Sequence, residues 1–185
     1  EQDWFYQVNV EGTSNVVNLA LDFGIKKMLH ISSIAALGRN KKSNRLDEQA
    51  EWQGGKGQLH YSISKYLAEM EVWRGIAEGL NAAIVNPSII LGSGFWNQGT
   101  GKMFMNGWNN FKFYPQGGSG FVDVRDVARA AIQLMESDIS AERYTINGVN
   151  WSYQEQMNTI SAALGKKIPS IKVTPLIQEI AWRGA

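Results

Sequence analysis

The chain of 185 residues contains no cysteine, which excludes disulfide bonds, thiolate zinc sites and a cysteine nucleophile. Its two histidines, His30 and His60, are too few for a histidine-rich metal site, so we expect no bound metal. A chain without cysteine also fits a reducing compartment, and we expect a cytoplasmic protein.

Charge and hydrophobicity argue against two further classes of protein. The 18 basic and 17 acidic residues nearly balance, so we expect no nucleic-acid partner and no membrane-surface binding. No apolar run reaches the roughly 18 residues that cross a bilayer, and we expect neither a membrane span nor a signal peptide. A hydrophobic content of 44% is that of an ordinary globular protein with a sizeable core.

Helical and strand-like patterns alternate in the first half of the chain. An apolar helical stripe over residues 3–23 precedes a buried strand over 26–32. A polar, glycine-rich stretch over 38–59 is typical of a surface loop, and a helix over 60–78 and a strand over 82–86 follow it. This order predicts an α/β fold with a parallel sheet.

The alternation weakens after residue 92, where glycines mix with aromatic residues. This mixture favours a mobile lid or a pocket wall, although a satellite core would have the same composition. The change of pattern divides the chain into residues 1–92 and 93–185.

Regular elements return in the second half of the chain. The pattern predicts short strands over 121–123 and 143–147 and a helix over 124–136. A last helix is expected over 152–164, where Ser152 and the glutamate three residues later form a capping box.

The motif that carries most chemical information is Tyr61-Ser-Ile-Ser-Lys65, at the start of the predicted helix. Side chains four residues apart share one helical face, so Tyr61 and Lys65 can point into one site. A neighbouring ammonium group stabilises a phenolate, which lets a tyrosine exchange protons near neutral pH. The pair is therefore a candidate general acid/base, and a nearby serine hydroxyl could hold the substrate oxygen.

Polar residues also follow two of the predicted strands. Ser32 and Ser33 end the first strand, and Asn86, Pro87 and Ser88 end the second. Ligands of parallel sheets bind at the carboxyl ends of the strands. The Tyr61 helix connects these two strands, so three signals converge on one edge of one sheet.

These segments together resemble the extended short-chain dehydrogenase/reductases, also called NAD-dependent epimerase/dehydratases. The matching segments lie in the family's order and are Val8–Thr13, His30–Ser33, Tyr61–Lys65, Asn86–Ser88 and Phe121–Asp126. The resemblance implies the C-terminal part of a Rossmann-type, doubly wound parallel sheet, with a small α/β substrate-binding region. It makes residues 1–92 a partial dinucleotide-binding region that carries the catalytic residues. Residues 93–185 would be mostly substrate-binding, with elements that return to the Rossmann core. The Asn-Pro-Ser step is most similar to dihydroflavonol-reductase-like and 3β-hydroxysteroid-dehydrogenase-like members.

The resemblance also implies a role for each matched residue. Ser33, Tyr61 and Lys65 would be catalytic, in a hydride transfer between NAD or NADP and a carbonyl or secondary alcohol. The cofactor contacts would be Ser32, Tyr61, Lys65, Pro87, Ser88 and Ile89. The contacts to a small-molecule substrate would be Ala35, Asn86, Trp96, Phe121 and Arg125. Asn9 matches a helix asparagine of the family, and a packing role for it is equally possible.

One departure from the family is large, because no Gly-x-x-Gly-x-x-Gly turn follows a strand in this chain. The chain does not begin with methionine, and both of its ends read as parts of helices. We therefore expect an internal piece of a longer protein that lacks the N-terminal nucleotide-binding half. Such a piece would bind dinucleotide poorly and be inactive alone.

Two other functions stay open at this stage. One is a nucleotide-sugar epimerase or dehydratase of the same family, although Ser119-Gly120 stand where those enzymes carry an arginine for the diphosphate. The other is a non-catalytic binding or sensor domain.

The resemblance further implies a homodimer. In the family, the helices that correspond to those bearing Asn9 and Tyr61 pair with their copies in a four-helix bundle. The Tyr61 helix carries an apolar row at Ile63, Leu67 and Met70, which could serve this interface.

Overall fold

The computed structural model describes residues 2–38, 46–50, 52, 54 and 58–174. The fold is α/β with a parallel sheet, as the sequence predicts. Most of the predicted loop over 38–59 lies outside the described residues.

Helices and strands alternate along the described part of the chain. Its α-helices are α1 (Gln2–Phe5), α2 (Gly12–Asp22), α3 (His60–Ala77), α4 (Gly101–Trp108), α5 (Val124–Glu136) and α6 (Tyr153–Ala163). A π-helix (Tyr6–Glu11) joins α1 to α2, and a 3-10 turn spans Ile34–Ala36. The strands are β1 (Met28–Ile31), β2 (Ala82–Pro87), β3 (Ile89–Leu91), β4 (Phe113–Tyr114), β5 (Gly118–Asp123), β6 (Arg143–Ile146), β7 (Val149–Ser152) and β8 (Ile171–Lys172).

The first compact unit comprises the residues up to Ser88 together with Asp126–Ile146. Its sheet has the order β1-β2-β6, and both strand pairs are parallel. Helices α2 and α3 contribute Val17 and Val72 to an apolar core that also contains residues of β2. A Cβ atom on Gly75 would lie 2.5 Å from Val17 Cγ1, so only glycine allows this close approach of the two helices.

The second compact unit comprises Ile89–Arg125 and the residues from Asn147 onward. Its sheet has the order β3-β5-β7, with β5 and β7 antiparallel, and β4 pairs with β8. Helix α6 begins with the predicted capping box, because Glu155 N donates to Ser152 Oγ at 3.1 Å and Ser152 N donates to Glu155 Oε2 at 2.8 Å.

Part of the glycine-rich segment after residue 92 forms helix α4, which packs on α6. A Cβ on Gly107 would lie 2.9 Å from Ile160 Cγ2, so this glycine permits close packing of α4 on α6. The glycine therefore serves a helix contact, which composition alone does not reveal. None of the helices in the described ranges combines the length and apolar character needed to cross a bilayer.

His30 lies in β1 on the sheet that carries the candidate site. Burial lowers the pKa of His30 to about 4, Lys65 acts in the same direction, and Glu69 opposes both. Its Nε2 atom is buried without a hydrogen-bond partner among the described residues.

This depressed pKa predicts a stability that falls on acidification. Between about pH 4 and 6.5 the unfolded chain binds a proton at His30 and the folded chain does not, so the free energy of unfolding rises with pH in this window. The His30 contribution to this change is up to about 3 kcal/mol. The His30→Leu variant should lose this part of the acid sensitivity. The check is the free energy of unfolding from urea titrations near neutral pH and at about pH 4.5, in the variant and in the wild type. Equal acid losses in the variant and the wild type would contradict this assignment.

Candidate active site

Tyr61 lies in the first turn of α3 and is 42% exposed. Its ring meets that of Phe5 edge-to-face, with 6.0 Å between the ring centroids. Lys65 follows one turn later on the same helix, as the spacing predicts. The phenol therefore stands on a rigid helix and remains open to a substrate.

The Lys65 side chain reaches from α3 to the carboxyl end of β1. Its Nζ atom donates a hydrogen bond to the Ile31 carbonyl oxygen at 3.1 Å. Burial lowers the pKa of Lys65, and the nearby Glu69 carboxylate opposes this change. The Lys65 ammonium group is thus held at Ile31, which lies two residues before Ser33 in the sequence.

Ser33 follows β1 in an extended conformation and caps the 3-10 turn. Its Oγ accepts a hydrogen bond from the Ala35 backbone N–H at 3.1 Å, and its carbonyl oxygen accepts one from Asn86 Nδ2 at 3.0 Å. Ala35, a predicted substrate contact, thus helps to orient the hydroxyl. Because a hydroxyl can accept and donate at once, Ser33 can still donate its own proton.

Ser32 and Asn86 point into the interior of the first unit. Ser32 is 6% exposed and Asn86 is completely buried. Ser32 Oγ donates to Glu69 Oε2 at 2.7 Å, and Asn86 Nδ2 donates to the same oxygen at 2.8 Å. These bonds give both side chains an internal partner, and the cofactor contact of Ser32 and the substrate contact of Asn86 stay predictions.

Asn9 lies in the π-helix, a distortion that often marks functional sites. Its Nδ2 atom donates to Ser64 Oγ at 3.0 Å, and Ser64 Oγ donates to the Tyr61 carbonyl oxygen at 2.9 Å. Asn9 is therefore connected through Ser64 to the first turn of α3, where the tyrosine lies.

Pro87 and Ser88 are buried at the carboxyl end of β2. The Ser88 backbone N–H donates to the Ile146 carbonyl oxygen at 3.0 Å, but Ser88 Oγ has no hydrogen-bond partner among the described residues. A buried hydroxyl without a partner is costly unless a ligand or water satisfies it. Ser88 is thus a polar contact available to a bound molecule.

The aromatic residues predicted to touch the substrate belong to the second unit. Trp96 is 45% exposed and packs edge-to-face against Phe104. Phe121 is 1% exposed and packs against Trp151 and Tyr153. Its burial makes Phe121 part of the core of this unit and does not favour a substrate contact.

Two further predicted contacts also lie in the second unit. Ile89 is the first residue of β3 and is half-buried. Arg125 forms an ion pair with Asp123 at 2.6 Å, and its backbone N–H also donates to Asp123 Oδ1 at 2.8 Å.

Glu69 is the residue of this site that the sequence reasoning missed. It lies four residues after Lys65 and eight after Tyr61, on the same stripe of α3. It is 1% exposed, and Arg143 pairs with it at 3.2 Å. The signal in the sequence that could have identified Glu69 is an acidic residue four positions after Lys65, on a helix that faces the core.

The described residues offer no metal site, and the cavity described below is not lined by the predicted site residues. These residues contain no group of three or more histidine, aspartate or glutamate side chains that could hold a metal. A cavity of about 520 Å³ in the first unit is lined by Phe23, Met28, Met135 and neighbouring apolar side chains. None of the predicted site residues lines this cavity.

Comparison with known proteins identifies the family. Over residues 2–144 the chain matches the NAD-binding family described as Male sterility protein. It is 29% identical over 177 residues to a Synechocystis sp. protein provisionally named dihydroflavonol 4-reductase. This alignment covers 91% of this chain and 51% of the relative. It is 31% identical over 151 residues to cinnamoyl-CoA reductase 1 of Oryza sativa subsp. japonica, with coverages of 76% and 45%. The chain spans about half the length of these curated relatives.

A solved structure supports the fold. The dTDP-glucose 4,6-dehydratase of Bacillus anthracis, in complex with NAD, has a TM-score of 0.78 and 21% identity, and the match covers 94% of this chain and 58% of that one. The likeness shows a Rossmann-type fold, and the resemblance predicted from the sequence is confirmed. The chain belongs to the NAD-binding family described as Male sterility protein, among proteins with the epimerase/dehydratase fold.

Proposed function

We propose that the complete protein transfers a hydride between NAD or NADP and a carbonyl compound or secondary alcohol. The observation that carries this proposal is the hydrogen bond from Lys65 Nζ to the Ile31 carbonyl oxygen, which anchors the ammonium close in sequence to Ser33. Tyr61 lies one turn away on the same helix. The reductase names of two relatives support the same reaction class.

The three side chains have complementary tasks in this reaction. During reduction, Tyr61 donates its phenolic proton to the carbonyl oxygen, and during oxidation it takes the proton back. The charge of Lys65 stabilises the phenolate formed in between. The Ser33 hydroxyl donates a hydrogen bond to the substrate oxygen and holds it next to the phenol.

The residues at the strand ends fit a nicotinamide nucleotide. When bound, this cofactor supplies or accepts the hydride. The unpartnered Ser88 hydroxyl and the backbone of Pro87–Ile89 would hold its carboxamide. Lys65 would also contact its ribose. These assignments make residues 1–92 the nucleotide side of the protein and 93–185 mostly the substrate side.

The substrate class that we propose is an apolar ketone or aldehyde, or the matching alcohol. The exposed ring of Trp96 supports an apolar ligand. The sequence before Phe121 offers no arginine for a diphosphate, which weighs against a nucleotide sugar. Arg125 is engaged with Asp123, and a substrate anion would have to compete for it.

Tyr61→Phe in the complete protein tests the proposal. Removing the phenolic hydroxyl should lower kcat by about 100- to 10,000-fold while nucleotide binding persists, because general acid/base catalysis contributes about this factor. The matched control is Tyr66→Phe, on the same helix, where the ring stacks on Trp52. Nicotinamide absorbance with an apolar ketone measures turnover, and calorimetry measures binding.

Three outcomes would reject parts of the proposal. Full activity in Tyr61→Phe would remove Tyr61 from the chemistry. Conversion of a nucleotide sugar without a net change in nicotinamide absorbance would indicate an epimerase or dehydratase. Turnover by the 185-residue chain alone would contradict our expectation that it needs a glycine-rich nucleotide turn.

We also propose a homodimer through the helices that carry Asn9 and Tyr61. Exposed apolar side chains on these helices support it, with Trp4 60%, Val8 49% and Leu67 36% exposed. Light scattering should give twice the mass of one chain, and Leu67→Glu should reduce it to one. A wild-type protein of one chain's mass at micromolar concentration would contradict the dimer.

A further inference from the structure

Glu69 is a buried acid on α3 whose carboxylate collects hydrogen bonds from several elements. Ser32 Oγ and Asn86 Nδ2 donate to Oε2 at 2.7 and 2.8 Å. Trp73 Nε1 and an Arg143 guanidinium N–H donate to Oε1 at 3.4 and 3.2 Å. A carboxylate that is 1% exposed needs such donors, because burying an unpaired charge is very costly.

We propose that Glu69 is a positioning residue of the candidate active site, which fixes the Ser32–Ser33 segment and Asn86 relative to the Tyr61 helix. The inference goes beyond the acid/base roles above and rests on the proposed function only for its kinetic consequence. Glu69 touches none of the reacting atoms and acts through its neighbours.

The positioning runs through Asn86. Its amide NH₂ group donates to Glu69 Oε2 and to the Ser33 carbonyl oxygen, at 2.8 and 3.0 Å. These two bonds fix the amide plane, and with it the distance between the ends of β1 and β2. The Ser33 carbonyl oxygen accepts one of these bonds two residues after the end of β1, so the bond also fixes the position of the Ser33 hydroxyl.

The charge of Glu69 also affects the protonation of Lys65, one turn earlier on the same helix. The charged or titratable groups that face it include Lys65 on its own helix, His30 on β1 and Arg143 on β6. The carboxylate favours the ammonium form of Lys65 against burial. A glutamate that only filled space would have no such effect.

Arg143 extends this arrangement to another segment. It donates to the carbonyl oxygens of Glu48 and Ala50, and the Glu48 carboxylate accepts the Thr145 backbone N–H at 2.7 Å. Glu69, through Arg143, is thereby connected to residues 46–50, which precede α3 in the chain.

The test is Glu69→Gln in the complete protein, with Glu78→Gln as the matched control. Glu78 lies just after α3, pairs with Arg74 on the surface and contacts none of the site residues. The amide keeps the size of the side chain but removes the charge and turns an NH₂ group toward buried donors. NMR of labelled lysine, with Lys65→Arg for assignment, follows the protonation of Lys65.

We expect Lys65 in Glu69→Gln to lose its proton at a lower pH than in the wild type, because the carboxylate that favours its ammonium form is gone. We expect kcat to fall about 10- to 100-fold with KM for the nucleotide unchanged, because small displacements of catalytic groups have effects of this size. Glu78→Gln should leave both quantities at their wild-type values.

A folded Glu69→Gln protein with wild-type Lys65 titration and wild-type kcat would overturn the inference. Absence of turnover in the wild type would reject the proposed function instead, and the Lys65 titration would still decide the role of Glu69. If Glu69→Gln does not fold, Glu69→Asp keeps the charge but withdraws the carboxylate from Ser32 and Asn86. The value of kcat should then fall, and a folded Glu69→Asp protein with wild-type kcat would overturn the inference.

Discussion

A carboxylate can be buried only where donors surround it, and this constraint organises the first unit. The donors to Glu69 come from the end of β1, the end of β2, the start of β6 and its own helix. The three strands are therefore joined through their backbone ladders and also through one side chain on the helix that covers them. Moving any one of these elements would leave a buried polar atom unpaired.

Helix α3 combines packing and chemistry along its length. Its C-terminal half packs on α2, where Gly75 admits Val17 and Val72 is fully buried. Its first turn carries the exposed Tyr61, which the Asn9–Ser64 hydrogen bonds support. A site on a helix anchored in this way is held more rigidly than one on a loop.

Much of this arrangement is predictable from the sequence because it follows from periodicity. The four-residue step from Tyr61 to Lys65 fixes a shared helical face, and an apolar run bounded by polar residues marks β2 as a buried strand. The capping box at Ser152 depends on neighbours in the chain and was predicted correctly. Each of these features is local.

The features that the sequence did not reveal depend on contacts between distant residues. Asn86 donates to Glu69 and Ser33 because the fold brings these three residues together. No pattern in the sequence specifies where the Asn86 side chain points. Strands β3 and β7 have only three and four residues, too few to show a period. The resemblance implies a substrate contact for Phe121, whereas its side chain is 1% exposed and packs against Trp151 and Tyr153, a burial that only the fold determines.

The central claim is that Ser33, Tyr61 and Lys65 serve a hydride transfer, and isotope transfer tests it most directly. The complete protein would be incubated with a reduced nicotinamide nucleotide that carries deuterium at the transferable position, together with an apolar ketone. Mass spectrometry of the product should show one deuterium on the new carbinol carbon. A product without deuterium, or a nucleotide that keeps its label while a nucleotide sugar is converted, would contradict the account.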